Sequence, residues 1–156
     1  MLNEILDTIA DAVNPGLAAL VLIFPWLNRG AFRNEGAAWY FWLRTLMSLV
    51  IVYVILFADN RFDLWPMLGL DYSTHTAFAV AIITSLTVVS RRWLLLLIPI
   101  LIGYAALMMY LGYHSLEDIL TAALIIGPIT WWIHQIGRAG RSVAANGPQN
   151  WKRNSP

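Results

Sequence analysis

Five apolar runs dominate the chain, near Gly16 to Leu27, Ala37 to Phe57, Ser73 to Ser90, Trp93 to Leu111 and Leu116 to Ile136, and short polar or charged stretches separate them. About 20 apolar residues cross a bilayer as a helix. A spanning chain must also satisfy its backbone polar groups within itself, which leaves helices or closed barrels. The few alternating polar and apolar stretches cannot close a barrel, so all five runs are predicted as helices. The first run is short unless the N-terminal residues join it, and Pro15 and Pro25 are expected to bound or kink it. Before it, Met1 to Asn14 reads as a short amphipathic helix with Leu2, Ile5, Ile9 and Val13 on one face. Pro99 and Pro128 fall inside later runs, where neighbouring helices compensate the lost hydrogen bond. The expected fold is an all-α integral membrane protein, a compact bundle of about five transmembrane helices. Residues 1–136 form one membrane domain, and the Gly-, Asn-, Pro- and Arg-rich stretch 137–156 is expected to be a flexible cytoplasmic tail. No internal repeat is visible.

Composition agrees with this class: 59% of residues are hydrophobic and 12% are charged, against about 25% charged in ordinary soluble domains. The absence of cysteine excludes disulfides, thiolate catalysis and cysteine-ligated metals. The acidic N-terminus lacks the basic region of a cleavable signal peptide. Five crossings place the connections alternately on two sides, and the charges sort between them. One side receives Arg29, Arg33, Arg91, Arg92, Arg138, Arg141, Lys152 and Arg153, while the other receives only Arg61. Cytoplasmic loops concentrate Lys and Arg, so the N-terminus is expected outside and the C-terminus in the cytoplasm. The expected location is a bacterial inner (cytoplasmic) membrane. No basic patch suits nucleic acid.

That assignment sends two unusual strings outward, Asp71-Tyr72-Ser73-Thr74-His75-Thr76 and Tyr110-Leu111-Gly112-Tyr113-His114-Ser115-Leu116-Glu117-Asp118. Ionisable groups beside a membrane span are costly unless partnered, so they count as a functional hypothesis. His114 and Asp118 are four apart. On a helix they share a face, and Asp118 is expected to accept a hydrogen bond from the imidazole and leave the other ring nitrogen free to attack. His75, from a different helix, can protonate a leaving oxygen. Ser73, Thr74 and the amides that open the third helix would face the same anion.

These strings resemble the type 2 phosphatidic acid phosphatase superfamily, which includes lipid phosphatases, sphingolipid phosphotransferases and vanadium haloperoxidases. The family's second motif reads PSGH, and Tyr72-Ser73-Thr74-His75 stands in its place, matching at Ser73 and His75. Its third motif, SR, five residues, H, three residues, D, is matched by His114 and Asp118, with Met108 at the arginine position. Of the first motif, K, six residues, RP, only Arg61 is present, with Val54 and Phe62 in place of the lysine and proline. The resemblance spans roughly Val54 to Ile136, one helix fewer than the family's usual six. It implies a lipid phosphatase or phosphotransferase needing no cofactor and no metal, acting on a lipid phosphate or a phospholipid headgroup. His114 would form a phosphohistidine, Asp118 would orient it, and His75 would be the acid. Ser73, Thr74, Arg61 and Asp71 are the expected substrate contacts. The sphingolipid branch keeps the His, His, Asp triad while departing from the basic motifs, as this chain does.

Two other readings use the same residues. Asp71 with His75 and His114 with Asp118 have mirrored four-residue spacings that suit zinc or manganese in a metal-dependent hydrolase. The missing lysine and arginine also suit a catalytically degenerate lipid-phosphate binding protein, or a subunit of an oligomer or larger membrane complex. Arg61 is read either as a phosphate contact or as the ion-pair partner of Asp59 or Asp63. His134, beside Trp131 and Trp132, is expected in an interfacial belt, and Arg44 is expected to snorkel to the cytoplasmic side.

Overall fold

The computed structural model describes residues 1–33 and 36–136; the tail predicted over 137–156, with Arg138, Arg141, Lys152 and Arg153, lies outside the described residues. Five α-helices form the bundle: α1 Leu2–Leu27, α2 Ala37–Phe62, α3 Thr74–Val89, α4 Leu94–Tyr110 and α5 Leu116–Gln135. α1, α2 and α5 are long and apolar enough to cross a membrane, as is α4 with the 3₁₀ turn before it. α3, at 16 residues, is shorter. It is also the central element, packed against all four others. Ala77, Ala79, Ala81, Ile82 and Leu86 on α3 are completely buried, and the alanines let neighbouring backbones approach closely. The outward faces are apolar too: Leu95 on α4, Phe57 on α2 and Leu124 on α5 are more than 70% exposed. Large apolar side chains turned outward along the length of long helices need hydrocarbon as solvent. The chain is an integral membrane protein.

The amphipathic segment over 1–14 joins the first run. α1 runs unbroken from Leu2 through Pro15 and Pro25, and its apolar stripe continues through Leu17, Val21 and Phe24 into the core. Phe24 stacks on Phe41 at 5.4 Å and lies 5.6 Å from Trp93. At that end of the bundle Asn28 Oδ1 accepts from Arg92 at 2.6 Å and from Trp93 Nε1 at 3.2 Å. Arg44 donates to the Ile136 carbonyl at the end of α5. These contacts gather the C-termini of α1, α3 and α5 with the N-termini of α2 and α4. Arg29, Arg91 and Arg92 therefore share one end, and Arg61 lies at the other.

His134 is not in a belt. It is 2% exposed, packs 6.0 Å from Phe41, and its Nε2 lies 3.0 Å from Ser85 Oγ. The Ser85 hydroxyl donates to the Ala81 carbonyl, so it accepts from His134, which makes Nε2 the protonated nitrogen.

Candidate functional site

The two histidine strings meet at the Arg61 end of the bundle. The turn between α4 and α5 follows from its sequence. Gly112 has φ of 75°, a conformation glycine adopts without steric cost. Its N–H reaches the Met109 carbonyl at 3.1 Å, and the Tyr113 N–H reaches that of Met108 at 3.0 Å. This is the paired bonding of a Schellman helix end. Two residues later Ser115 opens α5 with a capping box: its hydroxyl accepts from Asp118 N at 3.2 Å, and Asp118 Oδ2 accepts from Ser115 N at 2.8 Å. His114 is thus held between two caps and belongs to neither helix. Tyr113 OH donates to Asp7 Oδ1 at 3.0 Å, tying the turn to α1.

The opposite string is anchored as firmly. Asp59, buried near the end of α2, accepts from Trp65 N at 2.7 Å, and the Trp65 indole donates to Thr121 Oγ1 on α5 at 3.0 Å. Tyr72 packs 4.7 Å from Trp65 and donates to the Val52 carbonyl at 3.3 Å. Ser73 caps α3; its buried hydroxyl donates to Thr76 Oγ1 at 2.9 Å and accepts from Thr76 N. The Ser73 side chain expected to contact substrate is therefore occupied by the helix cap. A backbone amide joins the two strings directly: Asp71 N donates to Asp118 Oδ1 at 2.8 Å.

The His75 and His114 rings come within 6.4 Å, centroid to centroid. The carboxylate beside His114 belongs to Asp71, not Asp118: Oδ2 of Asp71 lies 3.3 Å from His114 Nδ1. The expected His114 to Asp118 hydrogen bond through helical spacing is absent because His114 precedes the helix and both Asp118 oxygens accept backbone amides. Although near Asp71, Nδ1 of His114 is buried and makes no hydrogen bond among the described residues. Burial pushes the His114 imidazole below its usual pKa of 6.5, opposed by the negative charges of Asp71 and Asp118 and reinforced by His75. His114 is thus a neutral base at pH 7. The Asp71 side chain is 71% exposed, so solvent screens its charge. Asp71→Asn removes that opposing charge, and the His114 titration is expected to move further to acid. Imidazole NMR across the pH range checks this, and a shift toward neutrality would contradict the arrangement.

Arg61 forms neither expected ion pair. It is exposed, with its guanidinium 5.7 Å from the centre of the Phe62 ring, while Asp59 is engaged by Trp65. No hydrogen bond or ion pair links Arg61 to the histidines among the described residues. The metal spacing does not assemble either: no group of three His, Asp or Glu side chains is arranged to hold an ion among the described residues. Thr74 and His75 line an open cavity of about 420 Å³ with Asn14, Pro15 and Phe78. The sequence did not point to Asn14. Its Nδ2 donates to the His75 carbonyl at 3.4 Å, and only an unbroken α1 brings it there. The chain matches no family model, no curated protein and no solved structure.

Proposed function

We propose that the chain is a membrane lipid phosphatase or phosphotransferase working on a lipid phosphate or phospholipid headgroup at the extracytoplasmic face. The reading rests above all on two histidines from distant strings, 6.4 Å apart at one end of a membrane bundle, one of them a half-buried base beside a carboxylate. The motif resemblance at Ser73, His75, His114 and Asp118 adds to it. In the proposed reaction His114, with Nδ1 toward Asp71, attacks phosphorus through Nε2. The bond to the lipid alkoxide breaks, and His75 gives the leaving oxygen its proton. Water or a second lipid hydroxyl then attacks the phosphohistidine, returning its proton to His75 and freeing His114. Asp71 stabilises the charge that develops on the imidazole, Asp118 fixes both strings, and Thr74 lies beside the phosphate.

Phosphate release and headgroup transfer by the purified protein, measured across lipid phosphates and phospholipids with and without chelator, test the proposal. Chelator-resistant turnover is expected, and its products separate hydrolysis from transfer. Absence of turnover on every substrate would transfer support to a binding protein or complex subunit. The placement of Arg61 over Phe62, with no hydrogen bond or ion pair to the histidines among the described residues, favours that second reading.

The arginines at the opposite end support an outward orientation of the site. A cysteine in place of exposed Glu117 is expected to react with an impermeant maleimide in intact cells, and one in place of Arg91 only after permeabilisation. The native chain has no cysteine to interfere. The reverse pattern would invert the topology.

A further inference from the structure

The arginine end of the bundle carries a feature that the histidine chemistry does not use. Between α1 and α2 lies a cavity of about 300 Å³, lined by Val21 of α1, by Trp39, Trp42 and Leu49 of α2, and by Ile82 of α3. The sequence builds its wall locally. Pro25 has no N–H to give the Val21 carbonyl one turn earlier, and the Trp42 indole supplies the missing bond at 3.1 Å. Trp26 in turn packs 5.8 Å from Trp42. Trp39 lies on the first turn of α2, so the run from Trp39 to Leu49 takes the cavity about 15 Å into the bilayer, half of its roughly 30 Å hydrocarbon core. That is the depth of one leaflet. The lining residues Leu22, Trp39 and Leu46 are each more than half exposed, which sets the cavity on the outward surface of the bundle, against lipid. An apolar recess of this length takes an acyl chain from that leaflet.

Charge selects the head of that lipid. α1 runs into α2 at this end through a connection that carries Arg29 and Arg33. Both are exposed, and neither side chain makes a hydrogen bond or ion pair among the described residues. Every described carboxylate belongs to the first half of α1 or to the histidine end. The connection's own acidic residue, Glu35, lies outside the described residues, and the two arginines outnumber it. α2 opens with no side-chain cap and no acidic residue in its first turn, so its leading amides add to the positive field. A guanidinium fork matches phosphate oxygens two at a time. A zwitterionic headgroup offers the same phosphate but brings its own cation to this end, whereas an anionic one does not.

We propose that the cavity between α1 and α2 seats one acyl chain of an anionic phospholipid from the leaflet at the arginine end, with its phosphate against Arg29 and Arg33. This lipid is a bound partner and not the substrate, since its phosphate lies at the end of the bundle opposite the histidines. The proposal goes beyond the enzymatic reading and does not depend on it.

The test uses the full chain in phosphatidylcholine vesicles doped with either phosphatidylglycerol or phosphatidylcholine that carries a diazirine midway along one acyl chain. Phosphatidylglycerol adducts are expected on α1 between Ala18 and Leu22 and on α2 between Trp39 and Leu49. Each arginine beside an anionic headgroup is worth about fivefold, so labelling by phosphatidylglycerol should exceed that by phosphatidylcholine about 25-fold at these positions. Arg29→Gln and Arg33→Gln should each lower the phosphatidylglycerol signal about fivefold and leave the phosphatidylcholine signal unchanged. Arg91→Gln alters a charge at the same end, but on the turn before α4, which does not contact α2 among the described residues. Its effect is expected to stay below twofold. Leu43→Trp adds bulk at a lining position that is 40% exposed, and displacing contact with about two methylenes should reduce labelling about tenfold. Leu95→Trp, on the outer face of α4, should leave labelling unchanged. Equal labelling by the two lipids, equal loss in Arg91→Gln, or labelling that ignores Leu43→Trp would each overturn the proposal. So would chain-to-chain adducts through a photoreactive residue at position 43, which would put a second copy in the cavity. The arginine variants sit at exposed loop positions and keep the test decisive even if Leu43→Trp fails to fold.

Discussion

Replacing His114 with alanine is expected to reduce turnover by about 10⁴-fold or more, the scale seen when a covalent nucleophile is removed. The same change should leave the fold almost untouched. His114 lies between a finished helix and a capped one, its Nδ1 makes no hydrogen bond, and the ring belongs to neither core cluster. Removal of a half-buried side chain that makes no hydrogen bond costs about 1 kcal/mol. Thermal unfolding in detergent and lipid-phosphate turnover, measured on one preparation, separate the two effects. The parent should also acquire an acid-labile phosphoryl label that His114→Ala lacks. A variant as active as the parent would remove His114 from the reaction. A variant that is inactive because it no longer folds would show instead that the ring has a structural role which its surroundings do not suggest.

The helices were legible because hydrocarbon imposes a simple rule, that a spanning run is apolar and ends where polarity begins. The runs over α3, α4 and α5 match the observed helices to within one residue at each end. α2 continues past Phe57 to Phe62 because Asp59 turns inward to accept the Trp65 amide. A polar sequence there looked like a loop. For α1 the sequence leaves open whether Pro15 bounds the first run or the N-terminal residues join it, and the helix is continuous through Pro15. Proline costs a hydrogen bond, yet the apolar stripe on both sides of it packs on one core, and that burial outweighs the break. The joining has a consequence at the site, since the continuous helix brings Asn14 to His75.

Convergence of the two strings was legible from topology alone, but their wiring was not. The four-residue spacing of His114 and Asp118 suggested a helical pair, and that logic requires both residues to be on the helix. Gly112 and Ser115 carried the contrary signal: a glycine at a helix end, then Ser-x-x-Asp before an apolar run, is the pattern of one helix closing and another opening. His134 had a signal too. Ala122, Ile126, Thr130 and His134 recur every four residues and are all buried, so they form one stripe facing α3. The neighbouring tryptophans at 131 and 132 point elsewhere, and their belt character did not extend to it. Arg61 had no such signal, because the direction a long exposed side chain takes from a helix end is not set by spacing.

Replacing Asp118 with alanine is expected to destabilise the protein by about 2–4 kcal/mol, combining a lost helix cap with two amides left without their acceptor. Those amides are Ser115 N, which closes the capping box, and Asp71 N, which joins the two histidine strings. For a chain of this size the melting temperature should fall by about 5–15 °C. Loss of the second bond frees Asp71 from its place beside His114, so turnover should fall as well, and the His114 titration should move to acid as both carboxylates leave its surroundings. Asp118→Asn discriminates further. Its amide keeps one acceptor oxygen, so about half the stability should return, with the strings still joined if that oxygen faces Asp71 N. Unfolding in detergent, imidazole NMR and lipid-phosphate turnover read the three effects separately. If Asp118→Ala melts with the parent and yet turns over nothing, Asp118 acts on His114 itself, as the four-residue spacing first suggested. If stability and turnover fall together and both recover partly in Asp118→Asn, its role is to hold the two strings in register.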